Sequence, residues 1–221
     1  MARLALELAP DRDGATPPGM MHAQGCGTPF ARRHRRQKRL LDLIVSVTGL
    51  AITSPLLAAI AIAIRLDSTG PVVFAQERVG LHGRRFTMYK FRSMRANSEG
   101  SADAPSKQPD DPRVTRVGRV LRRSSLDELP QLLNVLRGDM TLVGPRPELP
   151  SLTSTYEPWQ WQRACVPAGL TGWWQVNGRS DRPLHLHTDD DLYYLSNCSL
   201  RLDLRILLLT IPAVMSGRGA Y

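Results

Sequence analysis

The stretch Arg119-Val-Leu-Arg-Arg-Ser-Ser-Leu-Asp-Glu-Leu-Pro-Gln131 sets the plan of the chain. Two adjacent carboxylates, Asp127 and Glu128, follow cations at Arg113, Arg116, Arg119, Arg122 and Arg123. Most of these arginines recur every third residue, which keeps them on one side of a helix. Ser125 lies three residues before Glu128, the pattern of a capping box. Leu129, Leu132, Leu133 and Leu136 then read as the buried stripe of a second helix. Pro130 fits that helix only within its first turn, where few N–H groups have an intrahelical partner. The acids can be helix-start residues favoured by the dipole. They can equally be functional, because a carboxylate held beside free N–H groups and cations stays ionised and can attack or bind a hard cation. Adjacent helical residues point ~100° apart. This argues against a pair flanking one scissile bond, as in a glycosidase, and a division between attack and metal binding fits better.

Working outward, the 221 residues suit one globular domain with appendages. A formal charge of +9 and a pI near 10.2 point to a polyanionic partner. Three scattered cysteines supply no metal framework. Residues 1–37 read as a disordered tail that ends in a basic run. Its place before an apolar stretch suits anchoring on an anionic bilayer better than binding nucleic acid. Residues 40–66 carry only two charges, Asp42 and Arg65. As a helix they would reach about 40 Å, enough for a bilayer core. However, Ser54-Pro55 falls near the middle, and both flanks are basic. Because positive residues mark the cytoplasmic side, residues 38–66 are expected to form a re-entrant hairpin broken at Ser54 and Pro55. Residues 67–221 would form the domain outside the membrane.

Two strands are expected over 72–78 and 84–94, with Lys90 and Arg92 sharing a face. Residues 97–112 read as a polar, proline-containing loop. Further on, Arg146 sits between Pro145 and Pro147, so fixing it loses little backbone entropy. A rigid loop presenting one arginine suits bidentate phosphate recognition. Gly169, Gly172 and Gly178 would allow close approach to a ligand, with Arg179 beside them. His185, His187, Asp189, Asp190 and Asp191 resemble a metal cluster, but their spacing lacks an ordered ligand set.

Several motifs occur in one order: Lys-Arg-x-x-Asp before an apolar run with Ser-Pro, Tyr-Lys-Phe-Arg-Ser-Met, Arg-Ser-Ser-Leu-Asp-Glu-Leu-Pro-Gln, Asn-Val-Leu-Arg-Gly-Asp-Met and Val-Gly-Pro-Arg-Pro. Together they resemble the bacterial sugar transferase family, the monotopic polyprenol-phosphate phosphoglycosyl transferases, over roughly residues 38–221. The resemblance implies transfer of a sugar 1-phosphate from a UDP-sugar to undecaprenyl phosphate, with release of UMP, through a covalent phosphosugar-aspartate. It also implies Mg²⁺, a re-entrant helix and a cytoplasmic catalytic domain at the bacterial cytoplasmic membrane. By the same resemblance, Asp127 would be the nucleophile. Glu128 would be its partner and the metal ligand. Lys90, Arg122, Arg146 and Arg179 would surround the substrate phosphates, and Asp191 and Tyr194 would lie on the substrate side. Ala168 stands where the family pattern carries proline. The Gly-Arg-Gly-Ala-Tyr ending is similar to that of members that start exopolysaccharide assembly. The expected fold class is α+β, with short helices and a few strands attached to the membrane hairpin. Two rivals, a non-catalytic basic membrane scaffold and a nucleic-acid binder, leave the adjacent acids among the arginines without a purpose.

Overall fold

The computed structural model describes residues 32–95, 111–177 and 188–216. It is a mixed helical and stranded fold, as expected. Helix α1 runs from Arg32 to Asp67 without interruption, 36 residues or about 54 Å. It begins six residues before the expected start at 38, so the basic run forms its opening turns and not the end of a tail. It is long and apolar enough to cross a membrane by length and composition.

One stripe of α1, marked by Lys38, Asp42, Ser46, Ile60 and Ile64, is buried against the rest of the chain. Leu40, Leu43, Ile44, Val47, Ile52, Leu56, Ile62 and Leu66 are exposed. These positions sit at the three- and four-residue spacings of a helix with a packed face and an open apolar one. Pro55 lies inside the helix, so the break expected at Ser54 and Pro55 is absent from its secondary structure. Having no N–H, it leaves the carbonyl of Ala51 without its intrahelical donor. The Ser54 hydroxyl donates to that carbonyl at 2.8 Å, and Thr53 donates to Gly49 at 2.7 Å. The Ser-Pro pair thus carries its own compensation.

Strands β1 (Val73–Val79) and β2 (Arg85–Phe91) form an antiparallel hairpin in which Phe74 faces Lys90 and Arg78 faces Phe86. Helix α2 (Arg116–Ser124) is capped by Thr115, whose side chain accepts from the Gly118 N–H at 2.9 Å. A tight 3-10 turn, Leu126–Glu128, leads to α3 (Gln131–Arg137). Strands β3 (Thr141–Val143) and β4 (Gly169–Thr171) pair in parallel. Between them lies α4 (Pro150–Thr153), and after them come α5 (Trp173–Asn177), α6 (Thr188–Asn197) and α7 (Leu200–Met215).

The main core gathers Met88, Leu132, Val135, Met140, Leu142, Val143, Val166, Tyr194, Leu202 and Ile206, with Leu41, Val45 and Leu50 of α1 against it. A second core joins Ile60, Ile64, Phe91 and Leu121, with Leu57 against it. The segments of α1 before and after Pro55 therefore dock on the same folded body. Polar ties reinforce the first segment. Arg39 donates to the carbonyls of Val135 and Leu136 at the end of α3, at 2.6 and 2.8 Å. Asp42 accepts from Thr141 Oγ1 at 2.7 Å and from the Leu142 N–H at 2.9 Å.

Two expectations around the acid pair are also corrected. Ser125 forms no capping box: its φ of 57° is left-handed and its side chain makes no capping bond, so only its carbonyl accepts from the Glu128 N–H. It terminates α2 instead, and the reversal places the acids in a turn between two helices. Leu133 is exposed, and α3 buries Gln131, Leu132, Asn134 and Val135.

Candidate active site

Four pieces of chain meet at the acid pair. The turn after α2 supplies Asp127 and Glu128, and the last turn of α2 supplies Arg122. Strand β2 supplies Lys90, and the loop after β3 supplies Arg146. Asn134 of α3 holds β2 in place, accepting from the Tyr89 N–H at 3.1 Å and donating to the Thr87 carbonyl at 2.7 Å. This fixes Lys90 relative to the helix that begins just after Glu128. Glu128 Oε1 accepts from Lys90 Nζ at 2.8 Å and from Arg146 Nη2 at 2.8 Å. Two cations therefore converge on one carboxylate oxygen, the charge-assisted arrangement that gives strong hydrogen bonds.

The two acids sit in opposite electrostatic states. Burial alone would raise the Glu128 carboxyl, but Arg146 and Lys90 outweigh it and hold Glu128 well below the usual carboxylate range. Burial raises Asp127, and the Glu128 charge adds to that; Lys90, Arg122 and Arg146 oppose it without cancelling it. Glu128 is thus a fixed anion with its partners in place. Asp127 is the more basic carboxylate, with Arg122 as a neighbouring charge. Such a separation of two adjacent carboxyls is how one site assigns them different tasks. It fits an attacking Asp127 and a Glu128 that organises cations.

Of the residues singled out in the sequence, Lys90, Arg122, Arg146, Asp127 and Glu128 come together. Arg92 does not join Lys90. It is buried and donates to Ser68 at 2.7 and 3.0 Å, satisfying the chain just beyond the end of α1. Asp191 and Tyr194, expected on the substrate side, are each 1% exposed and belong to internal networks. Asp191 pairs with Arg163 at 2.7 Å. Tyr194 donates to Asp203 at 2.7 Å, and Asp203 also holds Lys38 of α1 at 2.9 Å. Gly169 and Gly172 serve chain packing: a Cβ on either would fall 2.1 or 2.2 Å from the Gly144 backbone. Arg179, Gly178, His185 and His187 lie outside the described residues. Among the described residues, no three metal-ligating side chains of the His, Cys, Asp and Glu type cluster.

Sequence reasoning missed Arg163. It is buried, donates to the Arg146 carbonyl at 2.7 Å, and bonds the Tyr156 hydroxyl. It holds the backbone that presents Arg146, through partners far apart in sequence that no local pattern reveals.

Comparison with known proteins places this arrangement. The bacterial sugar transferase family model matches residues 33–217. A UDP-N-acetylgalactosamine-undecaprenyl-phosphate N-acetylgalactosaminephosphotransferase of Aeromonas hydrophila is 43% identical over 189 residues, covering 83% of this chain and 44% of the relative. The sugar transferase EpsL of Bacillus subtilis (strain 168) is 43% identical over 182 residues, 82% of this chain and 89% of EpsL. A UDP-glucose:undecaprenyl-phosphate glucose-1-phosphate transferase of Escherichia coli (strain K12) is 38% identical over 202 residues, 88% of this chain and 43% of the relative. The chain thus spans less than half the length of the Aeromonas and Escherichia relatives and most of the length of EpsL. It belongs to the bacterial sugar transferase family.

Proposed function

We propose that the chain is a phosphoglycosyl transferase that moves a sugar 1-phosphate from a UDP-sugar to undecaprenyl phosphate, a membrane-bound step that begins polysaccharide or other glycoconjugate assembly. The observation that carries this is the acid pair itself: a raised Asp127 beside a Glu128 that gathers Lys90 and Arg146. In the first step an Asp127 oxygen attacks the phosphorus bearing the sugar. The bond from that phosphorus to the bridging oxygen breaks, and the electron pair leaves with UMP. In the second step a phosphate oxygen of the polyprenol phosphate attacks the same phosphorus, the aspartyl bond breaks, and polyprenyl diphosphate-sugar forms. Splitting the transfer in two avoids bringing two anionic substrates together directly. Lys90, Arg122 and Arg146 lower the cost of charge on the phosphate oxygens, and Arg179 is proposed to join them.

Mg²⁺ binds through one or two carboxylates plus substrate phosphates, and Asp127–Glu128 meets that need without a larger cluster. Glu128 would hold the ion, which when bound neutralises charge on the departing phosphate. The sugar differs among the relatives, whose names give N-acetylgalactosamine, glucose and galactose.

The membrane segment is proposed to be re-entrant. The parts of α1 on either side of Pro55 dock on one domain, which supports keeping both ends on one side of the bilayer. That side would be the cytoplasmic face of the bacterial cytoplasmic membrane, where basic flanks are retained. Mixing the protein with UDP-sugars and Mg²⁺, with and without polyprenol phosphate, and measuring UMP tests the reading. One UMP per site is expected without acceptor and continuous turnover with it. No UMP release from any UDP-sugar would contradict it.

A further inference from the structure

We propose that Arg78 is a further phosphate-positioning cation of this site, its Nε donating to a phosphate oxygen of a bound substrate. The inference rests on the phosphoglycosyl transfer reading and adds to it a residue that lies outside the acid-pair cluster.

The register of the β1–β2 hairpin sets Arg78 opposite Phe86, Gln76 opposite Met88 and Phe74 opposite Lys90. Cross-strand partners share a face of a hairpin, and so do alternate residues along a strand. Arg78 therefore stands on the same face as Lys90, the residue that grips Glu128. Its guanidinium is aimed by two acceptors: Nη2 donates to Gln76 Oε1 at 2.6 Å, and Nη1 donates to the Pro147 carbonyl at 3.3 Å. Pro147 directly follows Arg146, so the two arginines share one stretch of loop.

Two features then ask for an anion. Arg78 Nε is buried and meets no acceptor among the described residues, and a buried donor left unmade is costly. Second, Arg78 is held near a like charge. Burial and then the Arg146 charge lower it to about 10, against the opposing pull of Glu148 and Glu128. Loop support alone does not explain this. The Gln76 and Pro147 acceptors need one donor each, which an ammonium could supply, whereas Nε is the extra donor of the guanidinium fork. A phosphate oxygen between Arg78 and Arg146 would satisfy the donor and relieve the repulsion. Its source is the diphosphate of the UDP-sugar or the phosphate of the polyprenol.

The test uses full-length protein in membranes or detergent and the variant Arg78→Lys, which keeps the charge and a donor for Pro147. KM is measured for each substrate at saturating levels of the other, with kcat and the thermal midpoint. KM for one substrate is expected to rise about tenfold or more, a loss of binding energy, while the other KM and the midpoint stay put. The substrate affected identifies the source of the phosphate. Both KM values within about twofold of wild type, or a lower kcat with a lower midpoint alone, would overturn the inference. Should Arg78→Lys fail to fold, Gln76→Leu removes only the aiming bond. A rise of about threefold in the same kind of KM supports the inference, and unmoved values overturn it. Wild-type protein that releases no UMP would remove the transfer reading and this inference together, whereas wild-type turnover with unmoved KM in the variants removes the inference alone.

Discussion

Two arginine–carboxylate pairs lie one residue contact apart and teach opposite lessons. Arg146 and Glu128 meet at 2.8 Å with side chains 22% and 21% exposed, and Lys90 shares the carboxylate. Arg163 and Asp191 meet at 2.7 Å with side chains 5% and 1% exposed. The chemistry of the two contacts is the same, and Arg163 touches the Arg146 carbonyl. Only the first pair is open to a ligand. A carboxylate that shares its oxygen between two partly open cations can give way to a phosphate, whereas a sealed pair cannot without unfolding its surroundings. On the proposed reading the open pair takes part in the reaction, and the sealed pair holds the backbone that presents it.

The sharpest way to break this comparison is to remove one member of the sealed pair. Asp191→Ala leaves Arg163 buried and short of a partner, and breaking a buried pair costs roughly 3–5 kcal/mol. Denaturant unfolding should show that loss. Stability near wild type would mean that the pair is dispensable and the distinction is false. In the open pair, Arg146→Lys keeps the charge and loses the planar fork. The expected loss is about 2 kcal/mol in kcat/KM, with little change in unfolding. A falling unfolding midpoint with unchanged kinetics would reverse the assignment.

A pH profile sharpens the electrostatic half of the comparison. Burial and Glu128 raise Asp127, and only its ionised form can attack. As pH falls through that raised value, kcat/KM should drop about tenfold per unit. The fall should begin above the ordinary range of an aspartate. The sign for stability is opposite. A folded state that raises the Asp127 pKa binds its proton more tightly than the unfolded chain, so this residue's contribution weakens as pH rises between the unfolded and folded values. Asp127→Asn should therefore remove activity without lowering the unfolding midpoint. The smallest effect is expected in the long apolar helix α1. Ser54→Ala leaves the Ala51 carbonyl without the hydroxyl that replaces the missing Pro55 donor, a loss of about 1 kcal/mol by thermal unfolding in membranes. A change below a few tenths would show that the compensation comes from elsewhere.

Much of the site was legible because its residues lie in short, dense motifs. The acid pair, Arg122, Lys90 and Arg146 could each be marked from neighbours within a few positions, and the apolar stretch from composition, although it was expected to break at Ser54 and Pro55 and runs as one helix. What was hidden depends on distant partners. Asp191 finds Arg163, and Tyr194 finds Asp203 and Lys38, only once α6, α7 and α1 have packed. Asp42, one of two charges in the apolar run, reaches Thr141 and Leu142 across nearly half the chain. The left-handed turn at Ser125 was hidden for a different reason. A serine three residues before a glutamate fits a helix start as well as a helix end, and only the packing of α2 decides between them.

The most direct test of the central proposal is peptide mass analysis after the protein meets a UDP-sugar and Mg²⁺ with no polyprenol phosphate present. One phosphosugar should be found on the peptide carrying Asp127, with about one UMP released per site, and none on Asp127→Asn. An adduct on another residue, or one that persists in Asp127→Asn, would contradict Asp127 as the nucleophile.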